Sequence, residues 1–286
     1  MYLVGGRRCD TIKLAISGTY GVGKSTTTET LSIATGIPRT HALTSRELLI
    51  DLAPGKTVME LNSIELLQLG TRRFEERVAN ESCDGSFISD GSVVHEWVYG
   101  TARMAVGINP GAGFLLRSIK TLAGVGRKAP LLEYTDIIGD IVKERARRLY
   151  DAYVHLPVEF PMKTDGHRPV SEPFRKLSDD TLLEVVADLG LPYEVVGGTV
   201  HERVTRIIEL FDLPTVMSVE DAIAEGERRV AAATAVVGAG EVPGTETGQA
   251  ARAVSVAAVV AHLCPRGTFR IHRVTCGSST VAARCS

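Results

Sequence analysis

The stretch ISGTYGVGKSTTTETL, Ile16 to Leu31, limits what this chain can build more than any other. Gly18 is followed by four residues and then by Gly23, Lys24 and Ser25, and the apolar run Ile12 to Ile16 stands directly before it. That is the order of a strand, a phosphate-binding loop and a helix start. The glycines free backbone N–H groups to wrap a phosphate, and the helix presents its positive end to the same anion. Gly18, Thr19, Tyr20, Gly21, Val22, Gly23, Lys24, Ser25 and Thr26 form the candidate nucleotide cradle. Lys24 would reach the β- and γ-phosphates and withdraw charge as the bond breaks, and the Ser25 hydroxyl would complete a Mg²⁺ shell.

A loop of this kind needs a sheet behind it, and the spacing of apolar runs supplies one. Ile12–Ser17, Ser86–Ser89, Tyr150–Leu156 and Tyr193–Val196 read as strands with helical patterns between them. This alternation predicts a mostly parallel sheet with helices on both faces. Glu60–Ala79 reads as one amphipathic helix of about five turns. A further helix is expected behind Ser178, and another behind Thr199, which forms a capping box with Glu202. Gly107 to Gly139 is apolar but poorly periodic, a lid or a mobile connection. After Val237 the composition turns linker-like, then rich in Ala and Val. The expected organisation is a catalytic domain over 1–237 and a loosely packed tail over 238–286.

The wider composition excludes several classes. With a formal net charge of −2 over 286 residues, no global basic field points to nucleic acid. The five cysteines are scattered without CxxC spacing, against a disulfide framework or zinc site and in favour of a reducing cytoplasm. The most apolar tail run, Ala253 to Ala261, is far shorter than a membrane span, so no membrane partner is expected. A homodimer is left open.

A phosphate loop names a nucleoside triphosphate, not a reaction. In SFISDGSVVHEW, Ser86–Trp97, an apolar strand ends in Asp90, where a carboxylate can hold Mg²⁺ through water, take a proton from an attacking hydroxyl, or simply cap the following helix. A motor ATPase normally places a glutamate next; here Gly91 and Ser92 follow, which disfavours dedicated hydrolysis. The guanine-reading Asn/Thr-Lys-x-Asp pattern has only the incomplete Met162-Lys163-Thr164-Asp165 as a match, and Asp136 with Gly139 imitates a switch motif too short to carry weight. Phe160–Asp180 is charged and punctuated by prolines, which suits a loop closing over the site, with Arg168 and Arg175 as guanidinium clamps.

Together these stretches resemble the small-molecule kinase branch of P-loop ATP-binding proteins typified by the nicotinamide riboside kinase domain and its AAA-labelled relatives, with nucleoside and nucleotide kinases further out. The resemblance spans about residues 10 to 212 and rests on GTYGVGKST, FISDG, the DGHR and EPFR pair, and YEVVGGTVHERVTRI. It implies a three-layer P-loop NTPase-type fold around a five-stranded sheet with a helical lid insertion, the lid loop lying at about 157–178. It further implies that Lys24 and Ser25 hold ATP and Mg²⁺, that Asp90 is the metal or base carboxylate, and that Arg168 and Arg175 are the lid pair.

Acceptor-side candidates are Arg39 and Arg46, after the presumed second strand, Gln68 and Arg72 on the long helix, and His95, Glu96 and Trp97 after Asp90. The expected activity is ATP- and Mg²⁺-dependent transfer of a phosphoryl group to a hydroxyl of a small, nucleoside-like acceptor. The competing reading is a nucleotide-binding regulatory switch that hydrolyses ATP or GTP slowly.

Overall fold

The computed structural model of the protein describes residues 1–58, 60–106, 128–161 and 171–239. The chain divides into two units, Met1–Ala235 and Val236–Ser286, and the first holds every strand found among the described residues. A short antiparallel hairpin, β1 (Tyr2–Val4) and β2 (Arg7–Cys9), opens the chain. It leads into β3 (Lys13–Ser17) and then α1 (Lys24–Thr35), β4 (Arg39–Thr40), α2 (Ser45–Leu52), α3 (Ser63–Asn80) and β5 (Phe87–Asp90). The remainder is α4 (Val94–Val106), α5 (Lys128–Leu149), β6 (Ala152–His155), α6 (Glu172–Asp188), β7 (Tyr193–Val195), α7 (Val200–Phe211) and α8 (Val219–Ala239).

Five strands make one parallel sheet in the order β4-β5-β3-β6-β7. The two-residue pleat splits β3 between two cores: Leu14 and Ile16 face one, Ala15 the other. The first core joins Leu14, Ile16, Ile88 and Val154 to Leu31 of α1 and to Val204, Ile207 and Phe211 of α7. The second joins Ala15, Phe87 and Tyr153 to Val94 and Val98 of α4, Val142 and Ala146 of α5, and Leu182 and Val186 of α6. Helices therefore cover both faces, as the strand–helix alternation predicts. A smaller cluster, Leu48, Leu49, Leu61 and Leu69, seats α2 on α3.

The chain order reverses across β3, whose neighbours are β5 and β6, and ligands of open parallel sheets bind at that crevice, beyond the carboxyl ends of the strands. Register sets Ile16 opposite Asp90 and Ser17 opposite His155, so the phosphate loop and Asp90 leave the sheet side by side.

Several boundaries differ from those expected. The fifth strand is Arg39–Thr40 itself, too short for alternation to reveal. Helix α6 starts at Ser171, whose side chain accepts from Phe174 N with a proline in the first turn; Ser178 lies inside the helix and donates back to Phe174 O. Part of the presumed lid loop is thus helical from Glu172 onward, and 162–170, with Arg168, lie outside the described residues. Of the 107–139 stretch, 128–139 belong to α5 and 107–127 lie outside the described residues, as does all of 238–286 beyond Ala239. The switch-like pair Asp136 and Gly139 sits within α5, where Gly139 packs on the Trp97 indole: a Cβ there would come within 2.6 Å of Nε1. Among the described residues no helix is long and apolar enough to cross a membrane.

Candidate functional site

The loop from β3 to α1 is shaped by residues that leave it little freedom. Gly18 has φ 137°, and a Cβ there would lie 2.7 Å from the Leu156 carbonyl oxygen, so no other residue fits without moving β6. At the far end Gly23 is the N-cap of α1, which has no side-chain cap and no acidic residue in its first turn. The helix's leading N–H groups and its positive end are thus available to an anion held by the loop. Lys24 Nζ donates to the carbonyls of Gly18 and Thr19, both at 2.7 Å, folding its amine back along the loop.

Two buried arginines hold carbonyls of the loop's backbone. Arg175 of α6 donates from Nε to Tyr20 O (3.1 Å) and from Nη1 to Phe160 O (2.7 Å). Its Nη2 is buried without a partner, 3.8 Å from where a Cβ on Gly21 would stand. Arg203 of α7 donates to Val22 O (2.5 Å) and to Glu159 (2.6 Å), whose carboxylate also accepts from Gly198 N. The hydrogen bond from Arg203, helped by Gly198, holds the Glu159 carboxyl below its ordinary range. His95 supports the loop's start: Nε2 lies 3.3 Å from Gly18 O, which makes it a donor, and Nδ1 lies 2.9 Å from Ser92 Oγ, from which it accepts when the ring is neutral. Burial, with Lys24 and Arg77 nearby, drives its pKa well below the usual histidine value, consistent with that neutral form. Arg175 is therefore a fixed helical brace whose orphaned Nη2 is aimed at the loop. His95 lies under the loop, not on an acceptor surface.

Asp90 ends β5 beside this loop. It accepts from Ser25 and pairs with Arg39 Nη2 at 2.5 Å. Burial opposes its charge, but Arg39 and then Lys24 outweigh it and hold the pKa at about 2. Arg39 also donates to Thr28 Oγ1 (3.0 Å) and Glu29 (3.1 Å), so its guanidinium is committed to Asp90's surroundings and is not spare for an acceptor. Behind Asp90, buried Arg77 donates to the Asp90 carbonyl (3.1 Å), to Ser89 Oγ and to Glu81. Gly91, at φ 103°, lies so close that a Cβ would stand 3.0 Å from Arg77 Nη2. Tyr150 closes the network, donating to Glu81 (2.6 Å) and accepting from Val93 N.

A second cleft opens next to the loop. Ser63, Leu66, Leu67, Gly70 and Arg73 of α3 face Glu96, Tyr99, Gly100 and Arg103 of α4, with Tyr20 of the phosphate loop forming part of the wall. Both sets repeat every three or four residues, one stripe of each helix. Arg73 spans the cleft floor, donating to Glu96 (2.7 Å) and to Leu43 O (3.0 Å). Tyr20 stacks on Tyr99 with ring centres 4.4 Å apart, and Phe174 packs beside them.

The acceptor-side candidates distribute unevenly around this cleft. Gln68 and Arg72 are exposed on another face of α3, where Arg72 pairs with Glu75. Arg46 is half-buried on α2, next to Ser45, which does reach the cleft. Trp97 turns to α5, under Lys143 at 4.5 Å from its ring centre. Glu96 alone of its tripeptide enters the cleft. Sequence reasoning passed over Arg73, Arg77, Arg103 and Arg203. Their shared signal is a charged residue at an inward position of a helical stripe: Arg203, for example, falls among Val200, Val204 and Ile207.

A sequence model described as an AAA domain matches residues 13–203. No curated protein matches the sequence. Among solved structures, the chain is similar to deoxyadenosine kinase from M. mycoides with bound dATP, at TM-score 0.47 and 14% identity over 69% of this chain and 98% of that one. It is also similar to the NadR protein in complex with NR (TM-score 0.41, 15% identity, 73% and 52% covered). A third similarity is to thymidylate kinase from Candida albicans (TM-score 0.41, 15% identity, 70% and 90% covered).

Proposed function

Given that this chain belongs to the AAA domain family, we propose that it is an ATP-dependent kinase that passes the γ-phosphoryl group to a hydroxyl of a small, nucleoside-like acceptor. One observation carries the reading: Tyr20 belongs both to the phosphate loop and to the wall of the cleft between α3 and α4. A molecule seated in that cleft lies beside the phosphates, as in-line transfer requires. We take residues 1–237 as the catalytic domain, and we keep Arg168, which lies outside the described residues, as the candidate second guanidinium.

The loop's residues suit a triphosphate. The uncapped start of α1 and the orphaned Arg175 Nη2 are donors open to an anion, and the Lys24 amine, which donates to the Gly18 and Thr19 carbonyls, stands on the same loop; together they would spread the charge that develops during transfer. The residues also suit Mg²⁺: the Ser25 hydroxyl and Asp90 carboxylate already touch, and a hydroxyl plus one carboxylate, completed by water and phosphate oxygens, is a set that this ion favours. When bound there, Mg²⁺ would neutralise charge on the β- and γ-phosphates. Asp90, with a pKa of about 2, is too weak a base to take a proton near neutrality, which favours its role as a fixed negative charge. Glu96 is the carboxylate in position to accept the hydroxyl proton from an acceptor in the cleft.

The test is ADP release from ATP with and without a panel of nucleosides, nucleotides and sugar alcohols, with product mass confirming the gain of one phosphoryl group. Acceptor-dependent release supports the kinase. Slow release unaffected by every acceptor supports the regulatory switch instead.

A further inference from the structure

The fixed charges of the acceptor cleft do not cancel. Arg73 is matched by Glu96, the two joined at 2.7 Å. Arg103, two turns further along α4, also lines the cleft but has no carboxylate paired with it among the described residues. Its guanidinium lies 5.6 Å from the Phe174 ring centre, and its Nη1 is buried without a hydrogen-bond partner. A guanidinium nitrogen closed off from water without an acceptor is costly, and the cost is removed when a ligand supplies the missing oxygen. Phe174, under the guanidinium, packs beside the stacked Tyr20 and Tyr99 rings, so the cation stands on an aromatic wall of the cleft.

We propose that the acceptor carries an anionic group, a carboxylate or phosphate, at the end remote from its reacting hydroxyl, and that Arg103 receives it. This deepens the kinase reading and rests on it for the identity of the cleft. Glu96 stands at the start of α4, next to His95 and hence the loop, and Arg103 follows seven residues later, about 10 Å along the helix axis. The separation matches a nucleoside-sized molecule lying along α4, its hydroxyl at Glu96 and its charged end at Arg103. A planar guanidinium donating two parallel hydrogen bonds favours the paired oxygens of a carboxylate or phosphate over a neutral amide.

The experiment compares ligands that differ only in this group. Uridine against 5-carboxyuridine tests a ring carboxylate, nicotinamide riboside against nicotinate riboside tests an amide against its acid, and uridine against 5-phosphonouridine tests a phosphoryl group, each placed on the ring away from the sugar hydroxyls. Binding to the full-length protein is read as thermal shift and by titration calorimetry, independently of turnover. At least one anionic member should bind tenfold or more tightly than its neutral partner, and the pair that shows it distinguishes carboxylate from phosphate. In Arg103→Gln the ratio should fall to near one, and Arg103→Lys should recover part of it. The ratio within a pair is insensitive to any general loss of stability from the lost Phe174 contact. Equal or weaker binding of every anionic member, or a preference that survives in Arg103→Gln, overturns the proposal. Should acceptor-dependent ADP release be absent while the anionic preference persists, the kinase reading fails and the anion site stands.

Discussion

The phosphate loop and the cleft between α3 and α4 are neighbours that were built in different ways. The loop is nine consecutive residues, and its shape follows from local rules: a strand that ends, glycines that open the backbone, a helix that starts without a cap. The cleft is assembled from stripes on α3 and α4 with single contributions from elsewhere, and none of its parts has a meaning until the helices are rotated into place. A contiguous site can be read along the chain. A composite site depends on which face of each helix turns inward, and that is decided by packing.

The comparison would break first at Lys24. If the loop is the reacting centre, Lys24→Ala removes a positive charge from the developing phosphoryl group, and turnover should fall by about 10³-fold, the range for losing a preorganised donor at a transition state. Lys24 is only half-buried, so the circular dichroism spectrum and urea midpoint should stay close to wild type. Steady-state ADP release measures the first, and near-normal turnover would remove the loop from the chemistry.

Asp90 ranks next. Asp90→Asn keeps the shape and loses the charge that faces Ser25 and Arg39, and a drop of about 10²-fold in turnover is expected. The same variant tests the electrostatics through stability. A carboxyl depressed from 3.8 to about 2 stabilises the fold fully above its unfolded pKa and loses that contribution as pH falls through about 2. The contribution at neutral pH is on the order of 2 kcal/mol. Denaturant midpoints of wild type and Asp90→Asn should therefore differ at pH 7 and converge near pH 2; a constant gap would mean that the carboxylate charge is not what stabilises this corner.

The sheet and loop were legible because period-two alternation and the Gly-x₄-Gly-Lys-Ser spacing are short-range patterns. Strand β4 was not, since two residues cannot alternate, and the helix expected behind Ser178 begins at Ser171 instead, a start hidden because Ser171 and Pro173 lie in a charged, proline-broken stretch that reads as loop. The buried arginines were invisible for a different reason. Arg77 and Arg203 each have less than a twentieth of their surface exposed, yet in sequence they resemble ordinary solvated charges. Only the knowledge that nearby carbonyls need donors, Asp90 O for Arg77 and Val22 O for Arg203, explains why an arginine belongs there. That information is tertiary.

Glu96 sharpens the comparison on the cleft side. Glu96→Gln keeps a hydrogen bond to Arg73 but cannot take a proton, and Arg73 retains Leu43 O. If Glu96 is the base and the phosphate loop alone holds ATP, kcat should fall by about 10²-fold with the KM for ATP unchanged. A matched rise in the KM for ATP would show that the two regions do not act separately.

The smallest effect is expected where the sequence pointed and the fold did not. Gln68 and Arg72 share α3 with Leu69 and Arg73, displaced by a single residue, and one residue on a helix is about 100° of rotation. That rotation moves them from the cleft to solvent, where Arg72 pairs with Glu75 on the surface. An exposed ion pair of this kind contributes about 0–1 kcal/mol, and neither side chain is among those lining the cleft. The double variant Gln68→Ala/Arg72→Ala should therefore leave kcat and the acceptor KM within about twofold of wild type, since α3 gains rather than loses helix propensity by the change. Arg73→Ala, one position along, removes the partner of Glu96 and should raise the acceptor KM well beyond that. Equal effects from the two variants would mean that acceptor recognition extends around α3 to its exposed face, and that the division between a cleft face and a solvent face is wrong.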